Sequence, residues 1–247
     1  MCGPITPASQ DGFKYAIVFI DNFTGYTFVY FIQSKSDSTK ALLKFLADIT
    51  PYGKVSKFMN LVPESELKRL RSDNGGEYMG AEFQKILVEN GIRHESSAPY
   101  SPHQNGQAER SRRTLFETGR CMLIESELPK FLWPYAIMMA AHVRNRCFRQ
   151  KSGQTPYFLM TNQKPNFKDM CQFGSVCYVL QQKSDKLSPK SKMGVFIGYD
   201  RYSPAYFVYF PSERKIVKSR HVRVLNFILS AVKSCHLYFH LRRFGRE

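Results

Sequence analysis

The sequence predicts an α/β domain followed by a small all-β barrel. Three observations predict it. Over roughly the first hundred residues, strand-like and helix-like apolar patterns take turns; two long helical patterns come next; and past Gly153 the pattern changes to short β-rich runs broken by turn residues.

The first two strands are expected at Lys14 to Ile20 and Tyr26 to Ile32, both rich in β-branched and aromatic residues. Between them Asp21-Asn22-Phe23-Thr24-Gly25 has the polar and glycine chemistry of a hairpin turn. Ser36 to Thr50 predicts an amphipathic helix, with Ser36 or Asp37 as its cap, Ala41, Leu42, Phe45, Leu46 and Ile49 on one face, and Pro51 as its end. Tyr52 to Glu66 reads as irregular. Leu67 to Arg71 reads as a short strand stopped by Ser72-Asp73-Asn74-Gly75-Gly76. Ala81 to Asn90 predicts a helix ended by Gly91, and Ile92 to Ser96 a strand before the proline-containing loop Ala98 to Gly106.

Gln107 to about Glu125 predicts a long helix with Ala108, Leu115, Met122 and Leu123 inward, and Lys130 to Phe148 predicts another. Gln154 to Asp169 reads as loop. Val176 to Leu180, Val195 to Tyr199, Tyr206 to Phe210 and Ile216 to Val224 then have the spacing of strands in a small barrel.

Lys and Arg number 36 against 20 Asp and Glu, a formal charge of +16. Such an excess points to a polyanionic partner, because neutralising phosphates releases their counterions, although solubility charge alone would produce the same total. The six cysteines (Cys2, Cys121, Cys147, Cys171, Cys177, Cys235) form no CxxC pair and read as reduced thiols. Residues Met1 to Gln10 lack the pattern of a secretory signal, and no apolar run approaches the roughly 20 residues that a membrane-crossing helix needs.

Two acids carry the chemistry. Asp73 follows a predicted strand and Glu109 stands early on a predicted helix, with 35 residues between them. Taken singly, each reads as a solvated surface group. Together, a strand-end carboxylate and a helix-borne one can converge on divalent cations, which activate an attacking oxygen and stabilise a leaving one in phosphoryl transfer. Asn74-Gly75 is expected to supply a tight turn beneath such a site, and Asn105-Gly106 a flexible approach to the helix of Glu109.

With these acids in place the chain resembles the integrases of copia-type retrotransposons. The resemblance is carried by Cys2-Gly3-Pro4, Phe19-Ile20-Asp21-Asn22-Phe23-Thr24-Gly25-Tyr26, Pro99-Tyr100-Ser101-Pro102-His103-Gln104-Asn105-Gly106, Leu128-Pro129-Lys130-Phe131-Leu132-Trp133 and Arg144-Asn145-Arg146. It continues through Thr155-Pro156-Tyr157, Lys164-Pro165-Asn166, Phe173-Gly174 and Phe196-Ile197-Gly198-Tyr199. It implies an RNase H-like catalytic core with an incomplete first strand over residues 1–160, an SH3-like barrel over 171–226, and a tail of unknown origin over 227–247.

The resemblance also implies Asp73 and Glu109 as catalytic ligands of Mg2+ or Mn2+. Asn105, Gln107, Arg110, Arg112 and Arg113 would then contact DNA, although a solvated helix face accounts for the arginines equally. The family's first catalytic aspartate falls one residue ahead of Met1. Asp21 matches the family's second-strand turn, where the acid is no metal ligand. The implied activity is end trimming followed by strand transfer, performed by a homo-multimer on element ends and target DNA, in the nucleus or in a cytoplasmic particle. A catalytically dead DNA-binding remnant or domesticated protein, and a general RNase H-like nuclease, are the alternatives.

Overall fold

The computed structural model describes residues 1–58, 67–73, 75–96, 106–150, 152–181 and 188–228. The chain divides into two compact units, each gathered from two stretches: residues 1–116 with 141–165, and residues 117–140 with 166–247.

In the first unit, β1 (Tyr15–Ile20) and β2 (Thr27–Ile32) form an antiparallel hairpin, with Tyr15 opposite Ile32. Asp21 makes the turn: its carboxylate accepts the Thr24 N–H at 2.8 Å and the Thr24 hydroxyl at 2.6 Å. Helix α1 (Ser38–Phe58) lays Ala41, Leu42 and Phe45 on this hairpin, where the Phe45 ring stacks on Phe19 at 4.2 Å. The helix runs past Pro51, where the sequence predicts its end. Proline's fixed φ is itself helical and its missing N–H removes a single ladder bond, so the helix continues.

Beyond it come β3 (Arg69–Ser72), the single turn α2 (Gly76–Met79), α3 (Ala81–Glu89) and β4 (Arg93–Ser96). Strands β3 and β4 pair in parallel, Arg69 beside Arg93 through Ser72 beside Ser96. Helix α3 turns Phe83, Ile86 and Leu87 into the same core as Ile17, Phe19 and Phe45, and ends at Asn90 with Gly91 at φ 65°. Among the described residues the hairpin and the parallel pair are separate two-stranded sheets. Residue Cys2 exchanges two 2.9 Å backbone hydrogen bonds with Ala16, so the first residues run alongside β1.

Helix α4 spans Gly106–Ser126, α5 spans Trp133–Arg146 and α6 spans Pro156–Thr161. The last lies where the sequence predicts loop. Thr155 caps it through the Phe158 N–H, Pro156 opens it and Asn162 closes it in the left-handed conformation, all within eight residues.

The second unit is built on a five-stranded antiparallel sheet in the order β8-β7-β6-β5-β9. Its strands are β5 (Ser175–Leu180), β6 (Ser191–Tyr199), β7 (Tyr206–Phe210), β8 (Lys215–Ser219) and β9 (Val222–Ile228). The expected strand Ile216 to Val224 is therefore two. The Ser219 hydroxyl accepts the His221 N–H at 3.2 Å, breaking the run so that β8 pairs with β7 and β9 with β5. Phe196, Ile197, Val208 and Tyr209 fill its core, and Phe131 and Tyr135 set their rings edge-on against Tyr209 and Phe207.

Candidate active site

Asp73 stands immediately after β3, exposed at the strand's C-terminal end. Gly75 has φ −59° and ψ 132°, a conformation open to any residue, so the glycine-dependent turn expected here is not made at this position. Asn74 lies outside the described residues. After Gly75, α2 buries Tyr78, whose phenol is pushed well up by burial and by the charges of Asp73 and Glu77. Within β3, Arg71 pairs with Glu95 of β4 at 3.0 Å and holds that carboxyl below its usual range.

Glu109 is exposed in the first turn of α4, where the helix dipole favours a negative charge. The helix buries Ser111 and Leu115 and leaves Arg110 and Arg113 in solvent. Arg112 is half-buried and donates to the Met1 carbonyl at 3.0 Å. Asn105 lies outside the described residues, and of Gln107 only the helical backbone is described.

Met1 joins the two acid-bearing elements. Its ammonium donates to the Tyr78 hydroxyl at 2.8 Å, and its pKa is lowered, chiefly by burial, against the opposing pull of the nearby Asp73 carboxylate. The Arg112 charge adds to the lowering. Glu109 precedes Arg112 by three residues, hence lies about 60° around the helix and one turn nearer its start. The turn that bears Asp73 and the helix face that bears Glu109 are thus tied to one residue. No hydrogen bond joins the two carboxylates' side chains to each other among the described residues, nor do three His, Cys, Asp or Glu side chains group there to hold a metal.

Asp21 is committed to its turn by the two bonds from Thr24, in keeping with the structural role read from the sequence. What sequence reasoning missed is the support behind Asp73: Tyr78, Gln84, His94 and Ser72. Their residue types carry no motif, and only the packing of α3 on β4 brings them together.

Residues 1–102 match the integrase core domain family, and residues 175–231 match the retroviral polymerase SH3-like domain. The two matches follow one another in that order along the chain. The copia-type resemblance agrees with the relatives. The chain is 34% identical over 225 residues to the retrovirus-related Pol polyprotein from transposon TNT 1-94 of Nicotiana tabacum, covering 90% of this chain and 16% of that protein. It is 30% identical over 221 residues to the counterpart from transposon RE1 of Arabidopsis thaliana, covering 87% and 14%. It is 25% identical over 224 residues to the transposon Ty1-DR6 Gag-Pol polyprotein of Saccharomyces cerevisiae, covering 90% and 12%. The chain thus spans about a sixth or less of the length of these relatives.

Among solved structures, it is similar to the HTLV-2 integrase catalytic core domain in complex with magnesium, at 20% identity and TM-score 0.44 over 58% of this chain and 82% of that one. It is also similar to the BIV integrase catalytic core domain, at 18% identity and TM-score 0.45 over 60% and 85%. The α/β class read from the sequence holds over the first part, where helices stand beside two two-stranded sheets, and the five-stranded antiparallel sheet lies where the SH3-like domain matches. No helix among the described residues is long and apolar enough to cross a membrane.

Proposed function

We propose that this chain is the DNA-joining part of a retrotransposon integrase: a metal-dependent polynucleotidyl transferase that trims an element end with water, then joins its 3′-hydroxyl to target DNA by transesterification. The observation that carries this reading is the position of Met1, held by Tyr78 beside Asp73 on one side and by Arg112 on the Glu109 helix on the other. Asp73 and Glu109 offer hard carboxylate oxygens at the surface, the chemistry that Mg2+ or Mn2+ prefers. Two acids are one fewer than the family pattern uses.

When bound, such cations activate the attacking oxygen and stabilise the leaving one. The chain's own residues position the substrate. Arg110 and Arg113, with Asn105 and Gln107, contact the donor end, mainly through phosphates, which fix register without reading sequence. Arg112 keeps the start of α4 beside the Asp73 turn. The SH3-like domain, with Lys190, Lys192, Lys215, Lys218, Arg220 and Arg223, adds phosphate contacts indifferent to sequence. Two element ends must be brought to one target, so the enzyme works as a multimer, and its place of action is the nucleus.

The test is strand transfer on a labelled duplex ending in the element's terminal sequence, comparing this chain with one extended upstream by an aspartate-containing strand. The extended chain is expected to join ends with Mg2+, and Asp73→Asn or Glu109→Gln to lower joining by about a hundredfold or more. Joining that persists in both variants sinks the assignment. The formal charge of +16 suits equally a second reading, a DNA-binding remnant without chemistry. It is the outcome if both chains bind DNA with a steep salt dependence and neither joins it.

A further inference from the structure

Behind the Asp73 turn runs a chain of hydrogen bonds whose directions are all forced. The Gln84 side chain faces the Tyr78 carbonyl at 2.7 Å. A carbonyl only accepts, so the facing atom is the amide nitrogen Nε2. The same nitrogen lies 2.8 Å from Nδ1 of His94, which therefore accepts. A neutral imidazole that accepts at Nδ1 carries its proton on Nε2, and here Nε2 lies 2.8 Å from Ser72 Oγ. Ser72 in turn donates its hydroxyl proton to the Asp73 carbonyl at 2.8 Å. Both ends of the chain terminate on carbonyls, so no member can be reversed. A second proton on His94 would set Nδ1–H against the Gln84 N–H. Burial lowers the pKa of the ring in the same direction.

We propose that His94 is a positioning residue for Asp73. Through Ser72 it fixes the Asp73 carbonyl, and so the backbone from which the metal-binding carboxylate projects. A metal ligand so held from behind is pre-oriented before any cation arrives. The inference rests on the reading of Asp73 as a cation ligand. The rival role for His94 is merely to fasten α3 to β4, through Gln84 and through the Phe83 ring, whose centroid lies 6.4 Å away. Two substitutions separate them. In His94→Gln the side-chain amide keeps a donor near the Nε2 position and keeps the bond to Ser72. In His94→Asn the shorter amide keeps an acceptor near Nδ1 for Gln84 and loses the donor to Ser72.

The experiment uses the full chain, labelled with 15N, titrated with Mn2+ alone, and reads the concentration that broadens the Asp73 amide signal by half. Paramagnetic broadening reports even a weak site. Asp73→Asn is expected to abolish the local broadening. His94→Asn and Ser72→Ala should each raise the midpoint by about tenfold, the scale of outer-shell effects on metal affinity. Their combination should do no more than either alone. His94→Gln should stay within about threefold of the parent. Equal losses in His94→Gln and His94→Asn, or a loss in the former alone, overturn the positioning role in favour of fastening. If His94→Asn does not fold, a parent-like midpoint in Ser72→Ala overturns it instead. Broadening unchanged by Asp73→Asn, or absent from the parent, overturns the underlying reading of Asp73.

Discussion

The side chain of Asn145 pairs with Thr27 as a neighbouring strand would: its Oδ1 accepts the Thr27 N–H at 2.8 Å and its Nδ2 donates to the Thr27 carbonyl at 2.9 Å. Both residues are buried, at 3% and 2% exposure, so water cannot replace these bonds. Asn145→Ala should therefore cost about 2–4 kcal/mol, the penalty for leaving a buried donor and acceptor unpaired. Urea unfolding at equilibrium measures it. A loss under roughly 0.5 kcal/mol, the size of an ordinary surface change, would mean that this pair does not hold α5 to β2.

Three residues before Thr27, the hairpin turn receives a second clamp from the same direction: Arg149 donates to the Thr24 carbonyl at 3.1 Å. Its guanidinium crosses the space where a side chain on Gly25 would stand, and Gly25 has φ 75°. Gly25→Ala should cost about 1–2 kcal/mol for the left-handed backbone, and more for displacing Arg149. In a double-mutant cycle with Arg149→Ala the cost of the double variant should fall short of the sum of the two single costs by at least about 0.5 kcal/mol. Strict additivity would show that the clamp is not felt at Gly25.

These clamps were hidden in the sequence, although Arg144-Asn145-Arg146 stood out as a motif. A polar residue on a helix reads as solvated until the fold supplies the strand it meets. Patterns carried by one element's own residues were legible: Ala41, Leu42 and Phe45 at helical spacing on α1, and the β-branched and aromatic runs of the hairpin. Patterns depending on a partner were not. Nothing in Ile216 to Val224 announces that its two halves pair with different strands, and α6 is too short to display a period, although Thr155-Pro156 carries its cap. The candidate site divides likewise. Residue type and spacing single out Asp73 and Glu109, whereas Met1, Tyr78 and the His94 chain emerge only from the contacts of distant elements.

Burial, with the Arg146 charge adding to it, pushes His142 down to about 3. In the unfolded chain it titrates near pH 6.5. Between these values the unfolded state binds a proton that the folded state refuses. The contribution of His142 is thus fully present above about pH 6.5 and is lost as pH falls, at a limiting slope of about 1.4 kcal/mol per pH unit. Its partial exposure makes the actual slope smaller. His94 acts in the same direction. Asp37, held at about 2 by Lys40 and Ser34, changes only at lower pH. Stability measured by urea midpoint should fall between about pH 7 and about pH 5, and His142→Gln should flatten that decline. Identical pH slopes in parent and variant would assign the loss to other groups.

In the second unit, Gly194 faces the interior of the sheet at a point where no atom can be added. A Cβ there would lie 2.5 Å from Val208 Cγ1 and 3.0 Å from the Phe210 ring. Val208 is wholly buried and Phe210 nearly so, and neither can swing into solvent to make room. Gly194→Ala should then cost about 1–3 kcal/mol, the range for forcing extra volume into a packed core. Because the obstruction is chiefly one methyl group, Val208→Ala should relieve it: the double variant should be more stable than the sum of the two single losses by about 1 kcal/mol or more. Denaturant unfolding followed by 15N resonances of β6 and β7 reads the effect within this sheet. A double variant no better than additive would mean that the core yields elsewhere and that Gly194 is not there for want of space.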